Sequence, residues 1–280
     1  MERRKVGVVS AVFRYPVKSM LGERPREIIL GANGTIGDRA WAIREASLGI
    51  ATAKKWANLL GFRASYDSPP NARELTPVTI EFPDGTRIHA ADPDASERLS
   101  EALGRRLRLE RAQPGERARA EIDPRTVFAD VPVEQIFPDM TKETLPDTFG
   151  LMEGAFFDSA PIHVLASGSL QHVQRLCGGD SIVDPRRFRP NIVVDTGANA
   201  DGFVEDEWID GVLEVGDSAR ITAPEPALRC VMTTHAQTDL PRDLAILRTA
   251  AKYHNARLGV FAKIGAPGAV RVGDPVVLAK

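Results

Sequence analysis

Apolar residues in this chain come in short runs, and almost every run is cut by a residue that turns the backbone. Residues 6–15 are rich in β-branched side chains and stop at Pro16, which lacks the amide hydrogen that a strand ladder uses. Residues 27–30 and 40–44 flank Asn33 and Gly34, a pair that takes the positive φ angles of a tight turn, so together they read as a hairpin. Residues 78–82 and 86–89 flank Asp84 and Gly85 in the same way. Residues 105–111 alternate Leu107 and Leu109 with charges, the pattern of a half-exposed strand. Residues 162–165, 192–195, 212–215, 219–222, 260–263 and 270–278 supply further strands, with a Pro-rich turn at 223–226. Helical spacing is confined to a few places. Residues 95–103 put Leu99 and Leu103 on one face ahead of Gly104, and residues 245–254 read as helical too. Residues 167–176 have Ser167 as a cap and Gly178 and Gly179 as a stop, with Cys177 as a packing residue at that end. Many short strands and few helices predict a mainly β, α+β protein of barrel-like architecture rather than a doubly wound sheet.

At 280 residues the chain has room for one large domain or two medium ones, at roughly 150 residues each. The segment 113–146 lacks long periodic runs and carries Pro114, Pro124, Pro132 and Pro138. It reads as a connection between halves, giving domains of residues 1–115 and 116–280. A net charge of −2 offers no electrostatic reason to expect nucleic acid or an acidic membrane as partner. No apolar run approaches the ~18–20 residues of a membrane helix, and the basic start reaches Arg14 without an h-region. A signal peptide is therefore not expected. Two cysteines argue against a disulfide framework and for a reducing cytoplasm. They are also too few for a four-cysteine iron–sulfur site.

Candidate chemistry begins at Cys230, which follows Arg229 directly and precedes Val231. A neighbouring guanidinium favours the thiolate, the form that attacks electrophiles and binds soft metals. The plainer reading is a buried structural cysteine. Three turn segments bring cations: Tyr15 to Gly22 with Lys18 and Ser19, Gly37 to Trp41 with Arg39, and Arg186 to Asn191. In the last, Phe188 anchors and the flanking arginines are expected to point away from the core. Arginine forks and lysine point charges are what phosphate recognition uses, although each is also an ordinary surface charge. Asn191, beside Pro190 at the start of an apolar strand, needs a partner for its amide. There is no G-x-G-x-x-G opening a helix, no P-loop, no H-E-x-x-H and no G-x-S-x-G elbow. His163 reads as a core histidine, and His235, five residues past Cys230, as a proton donor for the same pocket.

These residues carry a resemblance. Tyr-Pro-Val-Lys-Ser (15–19), Gly-Asp-Arg-x-Trp (37–41), Phe-Asp-x-x-Pro-Ile-His (157–163), Arg-Phe-Arg-Pro-Asn-Ile-Val-Val (187–194), Glu-Asp-x-Trp (205–208) and Arg-Cys-x-x-Thr-Thr (229–234) resemble the MOSC proteins. The resemblance spans nearly the whole chain and is to the version with an N-terminal β-barrel domain, which includes amidoxime-reducing components and bacterial relatives. It implies an N-terminal β-barrel domain followed by a MOSC β-barrel domain. It further implies a molybdenum cofactor, with Cys230 as the metal ligand and catalytic centre. Lys18, Ser19, Arg39, Arg189 and Asn191 would hold the pterin and its phosphate, with Ser167, Ser169 and Arg229 as additions.

Two departures matter. After Thr234 the family commonly continues Val-Asp-Pro, whereas this chain has His235 to Asp239, which is expected to govern substrate preference. Some bacterial relatives carry a C-terminal ferredoxin-like domain, whereas this sequence runs to Lys280 right after the expected barrel, so a redox version is expected to take electrons from a separate flavoprotein, ferredoxin-like or heme protein. The resemblance thus implies an oxidoreductase acting on N-hydroxylated or related small molecules, while net charge and the lack of a long apolar run give no reason to expect nucleic acid or membrane partners. The alternative is a sulfur or cofactor carrier working through a Cys230 persulfide or thiolate. Such a carrier would take its sulfur from a partner, because no pyridoxal-phosphate domain fits in this chain.

Overall fold

The computed structural model describes residues 2–45, 49–71, 73, 75–198 and 200–280. Its centre is a closed barrel of seven strands. In order around the barrel they are Arg3–Val12, Ile192–Asp195, Ile162–Ala166, Arg257–Ala266, Ala219–Leu228, Val212–Val215 and Pro275–Ala279. Closure leaves no free sheet edge. Ile162–Ala166 and Ile192–Asp195 are parallel, and the helix Ser167–Cys177 follows the first of them, since parallel neighbours need a crossover. Inward side chains such as Val9, Val164, Val194, Leu213, Ile221 and Val260 form one core with Trp208.

The two halves of the sequence interlock. Arg3–Val12 lies between Ile192–Asp195 and Pro275–Ala279, antiparallel to both. Glu27–Gly31 pairs with Gly268–Arg271. The other strands of the first half make small sheets, Arg63–Tyr66 with Val78–Glu81 and Arg87–His89, and Trp41–Glu45 with Leu107–Arg111. Single bridges at Val17–Trp41, Leu21–Arg63 and Ile50–Ala120 tie these pieces together. A second core, including Met20, Leu59, Leu60, Ile80 and Leu99, lies among them.

Local expectations held where turn chemistry decides them. The Asp84–Gly85 hairpin forms with Glu81 opposite Arg87, and helix Ala95–Leu103 ends on Gly104 at φ 65°. Three readings are corrected. The Asn33–Gly34 turn joins Glu27–Gly31 to the short Gly34–Thr35, while Trp41–Glu45 finds its partner some sixty residues on, in Leu107–Arg111. Ser167 is the first residue of its helix and not its cap, because Ala166 holds that position in extended conformation. The Pro-rich stretch at 223–226 continues the strand Ala219–Leu228, whose ladder slips between Thr222 and Glu225 and again between Pro226 and Leu228. Such irregularities let proline sit in a sheet. Among the described residues, no helix is long and apolar enough to cross a membrane.

Trp208, fully buried in the barrel core, gives a direct test of this packing. Trp208→Ala should lower unfolding free energy by about 3–5 kcal/mol, read as a drop in urea midpoint at unchanged slope. A loss under about 1 kcal/mol would mean the residue lies outside the core.

Candidate functional site

The first cation pair is placed by backbone geometry. Beyond the barrel strand Arg3–Val12, residues 15–18 run alongside 39–41. The amide of Arg39 donates to Tyr15 O at 2.7 Å, that of Trp41 to Pro16 O at 3.0 Å, and that of Lys18 to Trp41 O at 2.8 Å. Ser19 then takes a left-handed conformation at φ 67°, as does Arg39 at φ 49°, each costing of order 1–3 kcal/mol unless surroundings enforce it. Ser19 Oγ accepts from the amide of Ala53 at 3.0 Å. The second group comes from the single turn Pro185–Phe188, which ends on Arg189 at φ 55°. Asn191 next locks onto the barrel: its amide donates to His163 O at 2.8 Å and its Oδ1 accepts from the amide of His163 at 3.1 Å.

These segments open onto one cavity of about 360 Å³, within the usual range for small-molecule sites. Lys18, Ser19 and Arg39 from the first half line it together with Arg189, Asn191, Arg229 and Cys230 from the second. The arginines are fixed by aromatic faces and carbonyls. Arg39 and Arg189 stack on the ring of Tyr15, with Cζ 4.5 and 4.2 Å from its centroid. Arg189 Nη1 donates to Met20 O at 2.6 Å. Arg229 donates to Ala227 O at 2.9 Å and Phe188 O at 3.1 Å, and lies 5.1 Å from the Phe261 centroid. One terminal nitrogen of Arg189 and one of Arg229 are buried with no partner. Burial brings both guanidiniums down to about 10, with Arg39 adding repulsion at Arg189.

Lys18 donates to Phe156 O at 2.8 Å and to Asp158. Lys54 donates to the other oxygen of Asp158 at 2.7 Å. Burial lowers the Lys18 ammonium to about 8 against the pull of Asp158. Burial alone would raise the Asp158 carboxyl, but the two lysines outweigh it and hold that carboxyl far below its usual range. Cys230 is half-buried and extended at the mouth of the turn Val231–Thr234. Its carbonyl accepts from the amide and the hydroxyl of Thr233, both at 3.1 Å.

The cavity does not gather every expected residue. Ser167 and Ser169 lie beyond the far end of strand Ile162–Ala166, away from His163, which does line it. Ser169 donates to Glu205 and accepts from the amide of Val204 at 2.8 Å. Glu205 also accepts from Ala166 N at 2.6 Å, and burial pushes its carboxyl up to about 7. Ser169 thus closes the helix start onto the Glu205 turn, while Ser167 donates to Asp195 at 3.2 Å and accepts from the amide of Thr196 at 3.1 Å. His235 is outside the cavity, and Asp239 is exposed and held by Arg186 at 2.8 and 2.9 Å. Arg187, expected to point outward, is instead buried. It donates to Ile182 O, His235 O and Pro241 O at 2.9, 3.1 and 2.8 Å, since a tight turn sends consecutive side chains to different sides.

Sequence reasoning missed Lys54 and Asp158. Asp158 lies inside a quoted motif, but nothing around Lys54 separates it from a surface lysine. His163 is buried as expected, yet its Nε2 has no hydrogen-bond partner. Burial and then Arg229 hold that imidazole well below its usual value, so it is neutral.

Two family models match the chain: the MOSC N-terminal beta barrel domain over residues 6–120 and the MOSC domain over residues 152–277. Mitochondrial amidoxime-reducing component 1 from Mus musculus is 25% identical over 313 residues, covering 98% of this chain and 83% of that protein. Among solved structures, the YUAD protein from Bacillus subtilis aligns with a TM-score of 0.47 at 12% identity, over 99% of this chain and 97% of that one. YiiM from Geobacillus stearothermophilus aligns with a TM-score of 0.30 at 19% identity, over 43% of this chain and 55% of that one.

A small oxyanion reports on the cationic wall. Sulfate keeps its charge across neutral pH, whereas Lys18 loses its proton as pH rises through about 8. Sulfate affinity, measured by calorimetry, should therefore fall between about pH 7 and about pH 9. Lys18→Met should bind more weakly at the lower pH and show little of that fall. An affinity equally flat in both proteins would remove Lys18 from the anion site.

Proposed function

This chain belongs to the MOSC family, in the form that carries the MOSC N-terminal β-barrel domain, and we propose that it is a molybdenum-cofactor oxidoreductase reducing N–O bonds with electrons from a separate protein. The observation that carries this reading is the convergence of a half-open thiol with buried cations that keep unused donors. Cys230 shares the cavity with Arg189 and Arg229, each with a buried nitrogen lacking any partner. A buried donor without an acceptor is costly, and a phosphate is an acceptor whose oxygens match the guanidinium fork. Among the described residues no group of three or more His, Cys, Asp or Glu is placed to hold a metal ion. The single soft ligand Cys230 therefore fits a metal whose remaining ligands arrive with an organic cofactor.

Lys18, Arg39, Arg189 and Arg229 would hold the anionic part of the cofactor, Ser19 would add a hydroxyl, and Cys230 would ligate the metal. Asn191 acts differently. Its amide is fully occupied by Asp38 at 2.9 Å and by the backbone of His163 and Phe13, so it positions the loop that carries Arg189. When bound, the cofactor supplies a two-electron centre beside the substrate. Converting an amidoxime to an amidine breaks the N–O bond, takes up two electrons and two protons, and releases water. Lys18, close to neutral titration and bonded to Asp158, holds an exchangeable proton at the cavity. The mouse relative is an amidoxime-reducing component, which supports the choice of substrate head group.

Protein made in a cofactor-producing host tests the ligand assignment. Cys230→Ala should lose most bound molybdenum by mass spectrometry, and Cys177→Ala, whose thiol donates to Thr249 at 3.4 Å and lies outside the cavity, should keep it. Equal retention in the two variants would leave Cys230 without a special role.

A second experiment separates enzyme from carrier. The loaded protein should be inactive with NADH alone and should reduce amidoximes or hydroxylamines with reduced viologen. Molybdenum bound without turnover, together with transfer of sulfur or cofactor to an apo-enzyme, would assign it to the carrier class instead.

A further inference from the structure

The cavity has two chemically different walls, and only the cationic one is taken up by the proposed cofactor site. The other comes from the segment between the two family matches, which end at residue 120 and resume at residue 152. This segment packs directly behind Cys230. Val127 O accepts the amide of Val231 at 2.7 Å, and Cys230 packs into the apolar cluster around Val127, Phe128 and Ile136. Phe128, Phe137, Leu145 and Phe149 from this stretch line the cavity, and no charged residue from 122–149 does. Phe128 and Phe137 meet edge to face with centroids 5.9 Å apart. Phe137, Leu145 and Phe149 are only half-buried, so large apolar surface stays open at a cavity instead of filling a core. Lys54 marks the border, with Nζ 2.7 Å from Asp158 and 4.0 Å from the Phe149 ring centroid.

We infer that residues 122–149 form the substrate-selecting wall, and that it selects compounds whose reactive head group is carried on an apolar, aromatic body. The head group rests on the function proposed above; the preference for an apolar body rests on this wall alone. Half-open aromatic side chains gain by being covered, and edge-to-face contacts favour a ring over an alkyl chain. Even one methylene in an apolar pocket changes discrimination by about 10- to 200-fold. The His235 to Asp239 stretch, singled out in the sequence as the specificity element, contributes no residue to the cavity.

Benzamidoxime and acetamidoxime share a head group and differ in the body, which makes them the probes. Binding to the full-length protein would be measured by calorimetry, and kcat and KM with reduced viologen. The wild type should bind benzamidoxime at least about tenfold more tightly than acetamidoxime. Phe137→Ala and Phe149→Ala should erase most of that preference, raising KM for benzamidoxime about tenfold while leaving acetamidoxime KM and molybdenum content unchanged. Phe137→Leu should keep part of it, and His235→Ala all of it. Equal binding of the two probes by the wild type, or a preference that survives both alanine variants, would overturn the inference. Should Phe137→Ala unfold, the half-exposed Phe149 decides. A benzamidoxime preference in protein that holds no molybdenum and shows no turnover would refute the proposed function and leave the wall standing.

Discussion

The cavity hangs on one buried carboxylate. Asp38 accepts the amide of Tyr15 at 2.7 Å, the side-chain amide of Asn191 at 2.9 Å and the guanidinium of Arg39. Its side chain is wholly closed to solvent. An isolated ion in that position would be prohibitive, and these donors replace the water it has lost. Asn191 passes the connection on to His163 and so to two barrel strands. One side chain from the first half thereby fixes the bend carrying Lys18, the turn carrying Arg39 and the loop carrying Arg189.

What that junction holds together is a set of like charges. Arg39, Arg189, Arg229, Lys18 and Lys54 share one cavity, with Asp38 and Asp158 as the carboxylates bonded to them there. Two of the guanidiniums stack on the ring of Tyr15, and backbone carbonyls take several of the remaining donors. Like charges in a poorly solvated space repel strongly. The depressed values of Lys18 and Arg189 are the thermodynamic trace of that burial and crowding. An anion entering the cavity relieves this repulsion, so its binding strengthens the fold around it.

The sequence was legible wherever the decision is local. Gly104 ends its helix because only a left-handed residue can turn there, and Asp84–Gly85 sets a hairpin register without outside help. Lys18, Ser19, Arg39, Arg189, Asn191, Arg229 and Cys230 were all recognisable, because turns place unusual residues at fixed offsets. Long-range choices were hidden. Nothing local tells Trp41–Glu45 to pair with Leu107–Arg111, or a Pro-broken stretch to cover a thiol with aromatic rings. Ser167 and Ser169 were misplaced because the resemblance names a helix entry but not which end of the barrel it occupies. Arg187 shows the converse error, since its place beside the anchoring Phe188 suggested exposure while backbone carbonyls were ready to receive it.

The strand Arg3–Val12 is flanked in the barrel by Ile192–Asp195 and by Pro275–Ala279. Ribosomes make the first of these long before the last. Until residue 162 is made Arg3–Val12 has no barrel partner, because the other six barrel strands all lie within residues 162–279, and its ladder edges stay unsatisfied. Pairings so remote in sequence form slowly and expose surface to aggregation meanwhile. Closure of the barrel thus waits for Pro275–Ala279, and a nascent polypeptide halted before Pro275 cannot acquire the seam that shuts it.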